Sequence, residues 1–355
     1  MLKTAGTSRY VYNWGLAKWK EMWKDFEEGK STQKPSAILL SSIWTKIRPE
    51  WSYETYRGSQ TQAILNLGRA FQALWRGQAK YPSFHKKGKK RDSFYADNAH
   101  TYIEDNYIML PRIGRVKLAE NLRFEGKITG YTISTYAGQW HVSVEVEMPD
   151  AERPCLDPTS VVGIDVGLKH IATASDGTVL DAPESLKRLE VKLRNTQRAL
   201  SRSQRNSKNH QKLLLKKQKV QNRINNIRSD VTHKFTSTIT KNHGVVVVED
   251  LDLKGMTERA EHRPMRRSLG QSLMGTIIYQ LSYKARVLKK VDRFYPSTKL
   301  CSNCGHKRDS VELNERTYVC SHCGAVIDRD LNAAINLCKA GAVSPGVPVE
   351  LTASR

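Results

Sequence analysis

The chain has 355 residues, 39% of them hydrophobic and 26% charged, enough length for two or three domains and a substantial core. No uninterrupted apolar run approaches the ~18 residues of a membrane span and no signal peptide is recognisable, so a cytoplasmic protein away from membranes is expected. Its 58 Lys+Arg against 35 Asp+Glu leave a net charge of +23, which repels itself in a compact state and so calls for a polyanionic partner.

Residues 1–80 read as helical and hold six of the seven tryptophans. Tyr12, Leu16, Trp19 and Trp23 recur at helical spacing, as do Ile64, Leu67, Phe71 and Leu74. Most of these aromatics belong in a helical core, while some are candidates for stacking on unpaired bases. The loop YPSFHKKGKKR follows, and Lys86, Lys87, Lys89, Lys90 and Arg91 are candidate phosphate contacts. From about 93 to 148, alternating patterns at 128–134 and 140–147 meet through Ala137-Gly138 and predict a small antiparallel barrel or sheet. Pro149–Pro158 reads as a linker.

Val161–Leu168, VVGIDVGL, is a short apolar run flanked by turn residues, with the carboxylate Asp165 in its middle. It predicts a buried strand, in which an ionised Asp needs a cation or hydrogen-bond donors. Short strands at Ile171–Ala174 and Thr178–Leu180 follow, then a long helical hairpin from Glu184 to about 242, broken at Ser201–Asn209. Between Lys187 and Lys234 there are fifteen Lys/Arg against two acids, a net +13 over 48 residues. Surface helices usually mix signs, so this hairpin is expected to face nucleic acid. Its candidate contacts are Arg198, Arg202, Arg205, Lys216 and Lys217.

Gly244–Leu251, GVVVVEDL, ends a second buried-strand pattern in Glu249-Asp250. Four consecutive valines cannot alternate between core and water, so both faces of that strand should be covered. Residues 252–275 read as a loop with basic Arg263, Arg266 and Arg267. A helix through Ile277, Leu281, Tyr283 and Leu288 and a strand Val291–Tyr295 come next. The last helix is expected at about 330–340, ahead of an untidy tail.

Two motifs carry chemistry. Cys301, Cys304, Cys320 and Cys323 form two CxxC knuckles separated by fifteen residues. That is metal spacing rather than a disulfide framework, and it fits one structural zinc of the ribbon type with no ligand position left for water. Asp165, Glu249 and Asp330 offer hard oxygen ligands for divalent cations. Two Mg²⁺ ions about 4 Å apart would suit phosphodiester hydrolysis. Asp330 is preferred to Asp328 because it shares a helical face with Ala333, Ala334 and Leu337, whereas Asp328 suits a helix cap.

Three stretches in order, GIDVGLKHIATASDG, VVVEDLDLKGM and STKLCSNCG…CSHCGAVIDRDLNAAINL, resemble the TnpB family, transposon-encoded RNA-guided endonucleases related to type V CRISPR effectors. SRYVYNWGLA and YPSFHKKGKK also look like family motifs. The resemblance covers nearly the whole chain. It implies an α/β, ribonuclease-H-like (RuvC) nuclease domain with a zinc ribbon insertion, plus a wedge β-barrel and an N-terminal helical recognition region. In this chain those would be a recognition region at 1–80, a barrel at 81–150, a RuvC-like domain at 151–300 with the basic hairpin 184–242, a ribbon at 301–323, the last RuvC segment at 324–340 and a disordered tail at 341–355. It further implies Asp165, Glu249 and Asp330 as the catalytic triad, a guide RNA and double-stranded DNA as partners, and a prokaryotic, nucleoid-associated setting. The family usually opens with a further strand, so the barrel is expected to show an unpaired edge. The spacer from Tyr283 into the following strand is shorter than the family's. A truncated, guide-dependent DNA-binding protein that does not cut is the competing reading. A sugar-kinase or actin-like ATPase, whose phosphate loop also reads Gly-Ile-Asp-x-Gly, lacks support from a second phosphate loop, the zinc knuckles and the charge.

Overall fold

The computed structural model describes residues 1–88, 91–148, 157, 159–168, 170–262, 265–266, 268–269, 272–312, 315–343 and 350–351. The chain forms two compact units, Met1–Glu152 and Arg153–Arg355. Lys89, Lys90, Arg263, Arg267 and most of the expected linker at 149–158 lie outside the described residues.

In the first unit, α1 (Leu2–Glu27), α2 (Ala37–Ile47) and α3 (Arg57–Trp75) pack their apolar stripes together. Val11, Leu16, Trp19, Trp44, Ile64, Leu67 and Phe71 make that core, and Trp19 stacks on Phe71 with ring centroids 4.3 Å apart. The helical packing buries Tyr12, Trp19, Trp44 and Phe71, leaves Trp14 and Trp23 half-buried, and leaves Trp51 and Trp75 exposed. After the helices come β1 (Ser93–Asp97), β2 (Tyr102–Glu104), β3 (Tyr107–Leu110), β4 (Gly114–Lys117), β5 (Lys127–Tyr136) and β6 (Gln139–Glu147). They form two antiparallel sheets of three strands, β1-β5-β6 and β2-β3-β4, around a shared core of Phe94, Ile108, Leu110, Tyr131 and Ile133. The β5–β6 hairpin turns at Ala137 and Gly138, both at positive φ, the backbone that matches the twist of paired strands.

The second unit is built on a sheet of order β14-β11-β10-β7-β8-β9. Its strands are β7 (Val161–Asp165), β8 (Ala172–Ala174), β9 (Val179–Leu180), β10 (Val245–Glu249), β11 (Val287–Val291) and β14 (Glu350–Leu351). β7, β10 and β11 run parallel, with Val248 beside Ile164 and Glu249 beside Val291. The valine run is covered on both faces because successive side chains point opposite ways. Val246 and Val248 pack with Ile277, Leu281 and Phe235, while Val245 and Val247 pack with Leu337.

The hairpin consists of α4 (Glu184–Arg202) and α5 (Lys208–Asn242). Leu186, Leu189 and Leu193 meet Val220, Ile224 and Ile227, and Arg228 reaches across to Glu190 at 2.7 Å. Beyond this seam α5 changes role, since Phe235 and Ile239 enter the core of the sheet.

Three expectations need correction. The strand assigned to Val291–Tyr295 lies earlier, at Val287–Val291, and Leu288 belongs to it rather than to the preceding helix, which ends at Lys284. Lys289 and Lys290 disguise this strand; its identity is set by parallel pairing with β10. The segment read as a loop contains a short helix, Leu253–Arg259, whose Asp252 side chain accepts a hydrogen bond from the Gly255 N–H at 2.8 Å. In the expected tail, residues 341–343 extend the last helix, Arg329–Val343, and Glu350–Leu351 pair with β11.

Candidate metal centres

Asp165 and Glu249 end neighbouring parallel strands, one residue beyond the Ile164–Val248 pair. Strands lie about 4.8 Å apart, so the two backbones are adjacent there. Alternation also fixes which way they face. Val161, Gly163 and Asp165 share a face of β7, as Val245, Val247 and Glu249 share a face of β10, and this is the face packed against Leu337 of the last helix.

That helix carries Asp330. A Cβ built on Gly163 would lie 2.1 Å from the Ala334 carbonyl oxygen and 2.4 Å from the Cys338 nitrogen. Only a hydrogen at this position lets the helix backbone rest on β7, one turn past Asp330 and two residues before Asp165. Ala333, Ala334 and Leu337 are fully buried, and Asp330 is half-buried on the same side. Asp328 accepts hydrogen bonds from the Asp330 and Leu331 N–H groups at 2.9 and 3.1 Å, which caps the helix.

The charges of these residues are felt at Asp165. The Asp165 carboxyl is pushed up to about 7, first by burial and then by the charges of Asp330 and Glu249. Burial also raises Glu249. Arg329 opposes the rise at Asp165 and contacts Asp330 at 3.3 Å. Asp165, Glu249 and Asp330 therefore stand close enough for their charges to be felt at Asp165, three hard-oxygen groups at one end of the sheet, although among the described residues only the four cysteines have their ligand atoms gathered tightly enough to form a ready metal cage.

The four cysteines form the second centre. Among the described residues they are the group whose ligand atoms all lie within 4.8 Å of one another. Cys301 and Cys323 Sγ are 3.7 Å apart, and Cys304 and Cys320 Sγ are 3.6 Å apart. Tetrahedral Zn–S bonds of about 2.3 Å place sulfurs about 3.8 Å apart, so the cage fits zinc. The two knuckles are built alike. Gly305 and Gly324, at φ 76° and 73°, close turns whose N–H groups return to the Cys301 and Cys320 carbonyls at 2.9 and 3.0 Å. Backbone N–H groups of Ala325 and Cys323 favour the thiolates of Cys323 and Cys320 respectively. The module extends past the expected 301–323, because β12 (Thr317–Val319) pairs with β13 (Val326–Asp328).

Asn332 and Asn336 escaped the sequence reading. Both are buried, and they tie the cysteine module to the helix that carries Asp330. Asn332 accepts from the Ser302 N–H at 2.8 Å and donates to the Leu300 carbonyl at 2.7 Å; Asn336 donates to the Ser297 and Leu300 carbonyls, each at 2.8 Å. The legible signal was a pair of amides four residues apart on an otherwise apolar helical stripe.

The candidate phosphate contacts fall in both units. In the first unit Lys86 and Arg91 line a polar cleft of about 430 Å³ with Arg9 and Arg69, and Arg91 also lies over the Tyr136 ring at 4.0 Å. Lys87 is exposed. In the second unit Arg198, Arg202, Arg205 and Lys216 are exposed on the hairpin and Lys217 is half-buried. Among the described residues, none of these five hairpin residues is paired with a carboxylate.

Residues 141–260 match the OrfB_IS605 family described as "Probable transposase", residues 272–337 match "Cas12f1-like, TNB domain", and residues 1–30 match a "Helix-turn-helix domain". Over 361 residues the chain is 30% identical to the Escherichia coli (strain K12) protein named "Putative RNA-guided DNA endonuclease InsQ", covering 96% of this chain and 88% of that one. It is 31% identical over 346 residues to a Streptomyces pristinaespiralis protein of the corresponding name, covering 96% and 85%. A cryo-EM structure of a Cas12f1–sgRNA–target DNA complex matches with a TM-score of 0.57 over 98% of this chain and 82% of that chain; at 14% identity this speaks for the fold alone. The chain belongs to the OrfB_IS605 transposase family of TnpB-type proteins. Among the described residues no helix is long and apolar enough to cross a membrane.

Proposed function

We propose that this protein is a metal-dependent, RNA-guided DNA endonuclease of the TnpB type. The observation that carries the reading is that buried Asp165 feels the charges of Asp330 and Glu249, which sit on a helix laid directly on its own strand and at the end of the adjacent strand. We take the second unit's sheet as the ribonuclease-H-like nuclease core, the strands of the first unit as the wedge barrel and its helices as the recognition region.

Asp165, Glu249 and Asp330 would hold two Mg²⁺, and the four cysteines one structural zinc. Bound Mg²⁺ supplies an activated water and neutralises the charge that develops on the leaving oxygen. Arg329, 3.3 Å from Asp330, would offset part of the repulsion that Asp165 feels from Asp330 and Glu249. The hairpin supplies sequence-independent attraction for phosphates, so sequence would be read by base pairing with a transposon-derived guide RNA. A cytoplasmic, nucleoid-associated setting follows from such partners.

The test is to purify the chain with its co-expressed RNA, sequence that RNA, and challenge the complex with matched duplex DNA in Mg²⁺. A defined transposon-end transcript with cleavage that stops in EDTA is expected. Guide-dependent binding without cleavage would replace the nuclease by a targeting protein, and the absence of a defined RNA would refute guidance.

A further inference from the structure

Phe294 leaves 84% of its surface open to solvent. Burying a ring of that size ordinarily stabilises a fold, so its exposure calls for a cause. Looseness is not that cause, because the turn is held on both sides. The Asp292 side chain accepts the Phe294 N–H at 2.8 Å, and the Asp292 carbonyl accepts the Tyr295 N–H at 2.9 Å. Val291, just before the turn, is buried; Tyr295, just after it, packs inward and donates its hydroxyl hydrogen to the Asn336 carbonyl at 3.4 Å. Phe294 is left pointing outward from a fixed backbone.

Its address matters more. Val291 pairs with Glu249, so the turn leaves the sheet at the edge where Asp165 and Glu249 end. Arg293 is engaged with the residues just beyond Glu249, lying 3.6 Å from Asp250 and 3.9 Å from Asp252. Across the same edge, three residues past Asp165, Leu168 is 44% exposed. Phe294 and Leu168, both exposed, thus follow β11 and β7, the strands on either side of Glu249 in the order β11-β10-β7, at the same end of the sheet. A flat ring recognises the π-face of any nucleobase, and only a base free of its own stack can offer that face.

We propose that Phe294 stacks on an unpaired base of the DNA strand presented to Asp165, Glu249 and Asp330, with Leu168 as the apolar contact on the other side of the carboxylates. Phe294 is then a positioning residue, which sets where along the strand a phosphodiester meets the metals. The inference rests on the nuclease reading above.

The test uses the full chain with its bound RNA, made cleavage-silent by Asp165→Asn, and single-stranded oligonucleotides carrying 2-aminopurine, at a salt concentration that suppresses phosphate-dominated contacts. Phe294→Ala should weaken binding by about 5- to 150-fold, the range for losing one base–aromatic stack, and abolish the fluorescence quenching. Phe294→Trp should restore both. In the cleaving protein, Phe294→Ala should slow single-turnover cutting of an intact strand and leave an abasic substrate unaffected. Unchanged affinity and quenching in Phe294→Ala would overturn the proposal, and Phe294-dependent binding that is tighter for oligo-rU than for oligo-dT would overturn its assignment to DNA. If the parent never cuts but Phe294→Ala still loses binding, the nuclease reading fails and the stacking stands. If the parent cuts and Phe294→Ala is silent, the reverse holds.

Discussion

The cysteine cage and the carboxylate centre both gather side chains from separate parts of the chain, but they settle their charge in different ways. The cage is nearly local: two knuckles, each closed by its own glycine turn, bring four sulfurs within 4.8 Å of one another. The carboxylate centre draws on positions 165, 249 and 330, and the backbone that assembles it leaves Asp165 repelled by its neighbours. The sulfurs are already spaced as the ligands of one zinc ion would be. The carboxylates leave charge at Asp165 that Arg329 opposes but does not cancel.

The largest effect that separates the two centres is chemical. Asp165→Ala should abolish cleavage, by at least about a thousandfold given what metal-ligand and charge-stabilising groups contribute, while guide-dependent DNA binding persists. Loss of binding as well would mark the carboxylate as structural. Cys320→Ser acts on the other centre. A three-thiolate site holds zinc poorly, so zinc per chain, read by elemental mass spectrometry, should fall well below one and the residues around Tyr318 should lose hydrogen-exchange protection. An unchanged zinc content would count against the cage.

Stability against pH sharpens the contrast further. Asp165 titrates near 7 in the fold against an ordinary 3.8, so the native state keeps its proton longer than the unfolded chain does. In the metal-free protein Asp165's own contribution to stability should be fully present below about pH 4 and be lost as pH rises through 7, by an amount on the order of a few kcal/mol at about 1.4 kcal/mol per unit. Mg²⁺ should restore it above pH 7, and Asp165→Asn should lose less stability than the parent between about pH 4 and 7; parent and variant profiles that run parallel would contradict the crowding of charge. Gly163→Ala comes next, at about 1–3 kcal/mol by chemical denaturation, with a larger loss of cleavage than of stability because the Asp330 helix is pushed off its strand. Smallest of all should be single neutralisations on the hairpin, such as Arg202→Gln. Each should reduce the dependence of log affinity on log salt by about 0.7–0.9, and no change in slope would remove that residue from the phosphate-binding surface.

How much of this was legible in the sequence follows the same division. The cysteine spacing, the valine run and the apolar strand around Asp165 are local patterns, and the fold contains each of them. The basic hairpin was readable because fifteen cations on one helical pair have no interior to occupy. What the sequence hid was relational. β11 carries Lys289 and Lys290 and becomes a strand only through its neighbour β10. Asn332 and Asn336 look like polar interruptions until the module that they hold is placed against them. The short helix after Asp252 was announced by an Asp three residues ahead of a backbone N–H, a cap that a run of basic loop residues obscured.

Manganese titration of the zinc-loaded protein, followed by electron paramagnetic resonance, tests the shared cation site most directly. The parent should bind about two ions close enough for spin coupling, the separation expected of paired catalytic metals, and Asp165→Asn, Glu249→Gln and Asp330→Asn should each abolish the coupling. Coupled ions that survive all three substitutions would mean that these carboxylates do not form one site.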